Sequence, residues 1–436
     1  MRMLGCHSRP VGMESQPTVP GRLALSGTLP IFRAGSANST KAGRMKLLHT
    51  ADWQLGKPFA GVADLQKRSV IQQERINALH RIADAAREHL AEMIVVAGDL
   101  FDSPSVTKST VSAACGAIGT MGVPVIVIPG NHDHGGPGSL WEQPFFQRER
   151  AQLAPNLTVL LTPEPVEFDG VVLFPCPLLR RQESADPTTW LRSSVGDLDR
   201  FGNKPRVVLI HGSVQGFKSQ EDEDGAVSGQ PNLVDLSRLP EQDFDYFALG
   251  DWHGTKQVGP KAWYAGAPEL DRFPKGESND PGHVLIVNVQ RSAAPQVTPI
   301  RTARFGWHEL AFEFMDDTGL DQLEQHVNER IGSRAGMDLL RLELRGSLGI
   351  EATTRLEEKL ESWQARLLRL KLFNQTIVAP STEEVEALTH RATDPLISRV
   401  ALNLVTRAAE TGEDAAVARI ALRHLHAICH QSGTNI

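Results

Sequence analysis

Cysteine is scarce. Four stand in 436 residues (Cys6, Cys115, Cys176 and Cys429), with no Cys-x-x-Cys and no close spacing. That excludes a disulfide scaffold and a thiolate zinc site, and it fits a reducing cytoplasm. No run of 18 or more apolar residues occurs, so no membrane-spanning helix and no membrane partner are expected. An excess of positive charge is also missing: the net charge is −7. A dedicated nucleic-acid binder is usually basic. A nucleic-acid enzyme is not excluded, because bound divalent cations can carry the local positive charge. What is present is length and apolar content. At 41% apolar residues the chain can bury a large core, and its length suits one large domain plus a smaller one, or two to three domains.

The first 44 residues differ from the rest. They hold six basic residues (Arg2, Arg9, Arg22, Arg33, Lys41, Arg44) and one acid (Glu14), which leaves 39 basic and 51 acidic residues, or −12, beyond them. They show no apolar period. Basic, serine-containing and acid-poor composition is that of an organelle transit peptide. The reading preferred here is a disordered extension upstream of a start at Met45.

Apolar runs and stripes then alternate as strands and helices. Strands are expected at Lys46–Thr50, Met93–Ala97, Val123–Ile128, Thr158–Leu161, Val166–Pro175, Arg206–Ile210, Tyr246–Leu249 and His283–Val289. Helices are expected at Lys67–Leu90 and Lys108–Met121. Ser219–Gly229 reads as a solvated loop. Near residue 300 the pattern restarts as strand, helix, strand, helix (His308–Phe314, Gly319–Ile331, Leu339–Arg345, Glu351–Phe373). Amphipathic helical segments follow at about 395–409 and 414–430. The expected class is α/β, in four parts: an extension at 1–44, a main domain at 45–300, a smaller α/β unit at 301–376, and a helical tail at 377–436.

The informative feature is how the strands stop. The first runs into Asp52 and Gln54, the second into Gly98-Asp99, the third into Gly130-Asn131-His132-Asp133, the fourth into His211-Gly212, and the fifth into Gly250-Asp251-Trp252-His253. Open α/β sheets place their sites beyond the carboxyl ends of their strands. Glycine permits sharp turns and close approach there. A carboxylate such as Asp99 can bridge two cations, and a cation pair about 3.5–4 Å apart can clamp both oxygens of a phosphoester displacement. A histidine free of metal, such as His132, could protonate the leaving oxygen. Each element alone is weak, since a lone histidine after a strand is more often structural. Five in order leave little room for coincidence.

These residues resemble the calcineurin-like metallophosphoesterases. The stretches "LHTADWQLG", "AGDLFDS", "PGNHD", "YFALGDWH" and "WYAGAPELDRF" resemble the branch formed by SbcD-type DNA repair exonuclease subunits. The resemblance covers residues 45–275, and the unit after 300 matches that family's capping domain in position and element order. It implies a two-sheet αββα sandwich with an α/β cap. Residue by residue, it implies that Asp52 and His253 bind a first metal, that Asp99 bridges, that Asn131 and His211 bind a second, and that His132 is the leaving-group acid. The attacking group would be a metal-bound hydroxide. The implied partners are DNA, an SMC-like ATPase docked on the region after the cap, and, as an open alternative, a second copy of the chain.

Two positions depart from the family's pattern. Gln54 stands where a ligating histidine is usual at the first metal, and Asp251 replaces the first histidine of the fifth motif, at the second metal. Counting both, the ligands are Asp52, Gln54, Asp99, Asn131, His211, Asp251 and His253. This oxygen-rich set favours manganese or magnesium over zinc. The expectation is a working two-ion manganese site with unequal affinities, the second filling first. The competing expectation is one metal with little or no nuclease activity. Trp53, Trp252 and Trp263 beside the motifs are expected to pack beneath the site rather than stack on bases, and Asp102 and Asp133 to orient loops or the catalytic histidine. Arg180, Arg181 and Lys256 are either phosphate contacts or solvated surface. The functional expectation is an SbcD-like, metal-dependent DNA phosphodiesterase. The alternatives are a phosphoesterase for a small molecule such as a nucleotide, and a non-catalytic adaptor of the ATPase.

Overall fold

Parallel strands buried on both faces read as unbroken apolar runs, with successive side chains going to opposite faces. The computed structural model describes residues 43–214, 232–273 and 280–431. The expectations for the N-terminal extension and for the loop at Ser219–Gly229 lie outside the described residues. One six-stranded sheet runs, in spatial order, Gln296–Arg301, His283–Gln290, Arg44–Thr50, Met93–Ala97, Val125–Ile128 and Leu157–Val159. Its last four strands are mutually parallel. The second runs Lys256–Gln257, Ala262–Tyr264, Tyr246–Gly250, Arg206–His211, Val171–Cys176 and Val166–Phe168. Its four inner strands are parallel.

Alternation sorts the core into layers. Leu47, Val95, Ile126 and Ile128 face Val207, Leu209, Tyr246 and Ala248 between the two sheets. Their neighbours Leu48, Ile94, Val96 and Val127 turn outward, onto Leu79 and Ile82 of helix Leu65–Glu88 and Val111 and Ile118 of helix Lys108–Gly119. Each of these helices starts on a side-chain cap, Asp64 accepting from Gln66 N and Lys67 N, and Thr107 from Thr110 N. Such caps satisfy amides the helix cannot. On the far side Phe174, Val208, Ile210 and Phe247 pack under Leu191, Leu198 and Phe201 from short helical turns. The result is the expected mixed α/β sandwich of two large sheets between helical layers.

The unit after residue 300 is a parallel sheet of Gly306–Phe314, Asp338–Leu348 and Arg369–Asn374, with Ile377–Val378 pairing at its end. Helices Gly319–Ile331 and Ile350–Arg366 cover one face. The helix expected through Phe373 therefore stops at Arg366. Leu367, Leu368, Leu370 and Leu372 suit either period locally. Pairing of Leu339–Leu344 with Arg369–Asn374 decides for strand, as tertiary context routinely overrides local pattern. A small core of Phe59, Val62, Ile71, Leu270, Phe273, Trp307, Leu339 and Leu368 fastens this cap to the sandwich. Lys67 Nζ also donates to the carbonyls of Gln364 and Ala365 at 2.6 and 3.0 Å. Three helices close the chain, Thr382–Thr389, Pro395–Ala408 and Glu413–Gln431. Among the described residues, no helix is long and apolar enough to cross a membrane.

Candidate metal centre

Every side chain expected at the site lies at or just past the carboxyl end of a parallel strand. The two sheets bring these ends to one edge of the sandwich. The turns that follow are strained: Asp52 (φ 55°), Gln54 (φ 41°), Asp99 (φ 55°) and Asp251 (φ 98°) all adopt left-handed backbone without being glycine. Such residues cost about 1–3 kcal/mol each and persist only where the surroundings hold them. Here the amides of Asp52, Gln54 and Leu55 donate to the carbonyls of Gly98, Asp99 and Leu100 at 3.1, 2.9 and 3.0 Å. The buried Arg75 guanidinium donates to the carbonyls of Asp52 and Trp53 from below. Two glycines make room. A Cβ on Gly98, itself at φ +93°, would sit 2.1 Å from His211 Nδ1, and one on Gly130 would sit 2.1 Å from Asp99 Oδ1.

The donor atoms of Asp52, Asp99 and His211 all lie within 4.8 Å of one another, and all three residues are buried. His211 Nδ1 lies 2.8 Å from the Ala97 carbonyl and donates to it, which leaves Nε2 as the ligating nitrogen. Nε2 lies 3.3 Å from Asn131 Oδ1, 3.5 Å from Asp99 Oδ1 and 3.8 Å from Asp251 Oδ1. Adjacent ligands on a small octahedral cation are roughly 3 Å apart, so these atoms fit a divalent ion. Ser213 Oγ donates to Asp251 Oδ2 at 2.6 Å, and the Asp251 amide donates to Asp52, fixing both carboxylates. Burial, with help from Asp99 and Asp251, pushes the Asp52 carboxyl up to about 6 against the pull of His253 and His211. Burial would lower His211, but Asp99, Asp52 and Asp251 raise it to about 9. A buried nest of acids around one imidazole is the electrostatic complement of a cation.

The other half of the cluster is occupied differently. His253 Nδ1 lies 3.0 Å from Asp271 Oδ1, and its Nε2 lies 3.4 Å from Gln54 Nε2 and 3.4 Å from Arg272 Nη2. Gln54 Oε1 accepts from Lys57 Nζ at 2.8 Å. Lys57 also reaches Asp271 Oδ2 at 3.0 Å and Asp102 Oδ1 at 3.7 Å. Burial alone would raise the Asp271 carboxyl, yet Arg272, His253 and Lys57 hold it well below the usual carboxylate range.

His132 stands over the cluster and faces a cleft. Its Nδ1 lies 2.8 Å from the Asp102 carbonyl, its amide donates to Asp99 Oδ1 at 3.0 Å, and its Nε2 is 4.0 Å from Asp99 Oδ2. Burial would lower its pKa, but the Asp99 carboxylate and the Asp102 carbonyl raise it. That keeps a proton available to a leaving oxygen. Asp133 accepts from the Phe101 and Gly130 amides and so ties the two loops together, while Asp102 turns His132 through its backbone oxygen. Trp53 is buried and donates to Thr50 Oγ1, which makes it core. Trp252 packs against the far-side core.

The cleft beside His132 encloses about 350 Å³. Five cations line it, Lys57, Arg181, Arg272, Arg369 and Lys371, against the acids Asp102 and Asp271. Arg369 and Lys371 come from the cap sheet. Lys57, Asp271, Arg272 and Arg75 escaped the sequence reading. Lys57 directly follows "LHTADWQLG" and Asp271 and Arg272 lie inside "WYAGAPELDRF", but nothing in the sequence says that they meet.

The family comparison accords with this geometry. Residues 45–255 match the family model described as calcineurin-like phosphoesterase. Among solved structures, TT1561 of Thermus thermophilus is similar at 12% identity and a TM-score of 0.36, over 59% of this chain and 99% of that one. A proposed 5′-nucleotidase from Staphylococcus aureus is similar at 15% identity and a TM-score of 0.36, over 59% of this chain and 54% of that one. The strand-end side chains proposed as ligands fall within the matched span, and phosphoester hydrolysis with divalent metal is what that family does. Residues 45–255 form a calcineurin-like metallophosphoesterase domain.

Proposed function

We propose that the chain is a metal-dependent phosphodiesterase acting on DNA, of the SbcD-like kind. The observation that carries this reading is the cleft at His132, where the cap adds Arg369 and Lys371 to Lys57, Arg181 and Arg272. Affinity for nucleic acid comes mainly from cations on the phosphate backbone. Five cations gathered in one cleft of a chain of net charge −7 support a polyanionic substrate. A divalent cation held there would polarise the phosphoryl oxygen and lower the pKa of water, and the oxygen-rich donors favour manganese. Asp52, Asp99, Asn131, His211 and Asp251 hold it. Asp133 and Asp102 keep the loops and His132 in register, and His132 delivers the proton to the departing oxygen. The exposed Leu396, Val400, Leu402, Val417 and Ile428 on the last two helices support that region as the docking face for an SMC-like ATPase.

The test is cleavage of end-labelled linear duplex DNA by the chain from Met45 onward with Mn²⁺, Mg²⁺ or no metal, beside His132→Ala. Manganese-dependent cleavage is expected, reduced about 10²–10⁴-fold in the variant. Hydrolysis of bis(p-nitrophenyl) phosphate without DNA cleavage would favour a small-molecule substrate. No hydrolysis of either, with ATPase binding intact, would favour the adaptor.

A further inference from the structure

The resemblance to two-metal enzymes implied that Asp52, Gln54, Asp99 and His253 share a first ion. The side chains present do not fit one. An ammonium group only donates hydrogen bonds, so the atom of Gln54 2.8 Å from Lys57 Nζ is the amide oxygen. The amide nitrogen is thereby turned inward, toward His253. An NH₂ group has no lone pair to give a cation. His253 is similarly engaged. Its Nδ1 faces Asp271 Oδ1 at 3.0 Å, the Gln54 amide nitrogen lies 3.4 Å from Nε2, and Arg272 Nη2 lies beside the ring, 3.1 Å from Nδ1 and 3.4 Å from Nε2. Asp271 and Asp102, 3.0 and 3.7 Å from the ammonium, balance its charge and hold it in place. The second half of the centre has the opposite character: Asp52, Asp99 and His211 offer donor atoms within 4.8 Å of one another, with Asn131 Oδ1 3.3 Å and Asp251 Oδ1 3.8 Å from His211 Nε2.

The geometry points to a single-cation centre in which the Lys57 ammonium takes the place of the other divalent ion. Gln54 is the adaptor for this exchange, since a histidine there would bind metal through nitrogen, whereas a glutamine can give its oxygen to a lysine. Asp251 completes the exchange on the other side, adding a carboxylate to the one ion retained. A lysine is covalently present at any metal concentration, so part of the positive charge at the centre no longer depends on supply of metal. This deepens the proposed hydrolytic reading, but it is tested by metal binding and not by turnover.

The metal-stripped full chain is titrated with Mn²⁺ by calorimetry, with electron paramagnetic resonance of the bound ion. One equivalent and the six-line spectrum of an isolated Mn²⁺ are expected. Gln54→His alone is expected to stay at one equivalent, or to bind a second at least tenfold more weakly than the double variant Gln54→His/Lys57→Ala. The double variant should take two equivalents and show an exchange-coupled pair. Two equivalents in the unaltered chain would overturn the lysine assignment while leaving hydrolysis untouched. Full second-site affinity in Gln54→His alone would overturn it as well, by showing that lysine excludes nothing. No binding at all would overturn both this inference and metal-dependent hydrolysis. Should the double variant misfold, the unaltered chain and Gln54→His still decide.

Discussion

His49 gives the sharpest prediction about stability. It is the penultimate residue of strand Arg44–Thr50, fully buried, on the same face as Leu47 between the two sheets. Its Nδ1 lies 2.9 Å from the Tyr246 hydroxyl. Burial pushes its pKa down from 6.5 to about 3. The folded state therefore keeps His49 neutral in a range where the unfolded chain binds a proton, so stability must fall as pH drops below 6.5 toward 3. Each unit of divergence is worth about 1.36 kcal/mol. Between about pH 7.5 and pH 5.0 the loss from this one group is about 2 kcal/mol. The assay is urea unfolding of the metal-stripped chain and of His49→Leu at both pH values. Leucine leaves the Tyr246 hydroxyl unpaired, a cost of about 1–3 kcal/mol that does not vary over this range. The stability difference between the two proteins should thus move by about 2 kcal/mol in favour of the variant as pH falls. A difference that stays constant within about 0.5 kcal/mol would refute the buried, neutral His49.

Gly98→Ala should abolish manganese binding in calorimetry and lower the melting temperature, since its Cβ would meet His211 Nδ1 at 2.1 Å on a backbone at φ +93°; retained affinity would show that His211 is not a ligand. Arg369→Ala and Lys371→Ala should each weaken duplex DNA binding and lower the salt slope by about one, while an unchanged slope in both would remove the cap from the DNA path. Leu342→Ala, fully buried in the cap core, should cost about 2–5 kcal/mol in denaturant unfolding, and a cost under about 1 kcal/mol would mean the cap is loosely packed.

Much of this fold was legible because parallel strands leave a plain signature. "MIVVA" and "RVVLI" are apolar on both faces, and the polar residues that end them must lie at the sheet edge. Met93–Ala97 and Gly319–Ile331 occur with the expected bounds. The strand Arg369–Asn374 was hidden, since four leucines between 367 and 372 satisfy a helix as readily as a strand until a neighbouring strand is supplied. The backbone strain at Asp52, Gln54, Asp99 and Asp251 was invisible for a related reason. Only the adjacent glycines hinted at sharp turns, and only the fold shows that the ligand residues themselves carry the left-handed geometry, braced by an arginine from a helix.

The centre itself illustrates what a motif leaves out. Each motif residue could be assigned a ligand role from its own neighbours in sequence, and on that basis Gln54 counted as a weakened donor. Its actual role is set by Lys57, three residues on, and by Asp271, which reaches the same lysine from a segment more than two hundred residues away. Neither residue belongs to a strand-end pattern, so neither stood out. Yet a substitution of histidine by glutamine changes more than donor strength. It turns a group that accepts a metal into one that can present either an oxygen or an N–H, and the nearest strong charge chooses which. With an ammonium 2.8 Å away that choice is made. The two departures, Gln54 and Asp251, then cease to be independent losses. One hands half of the centre to a covalently held cation, and the other would add a carboxylate around a single retained ion.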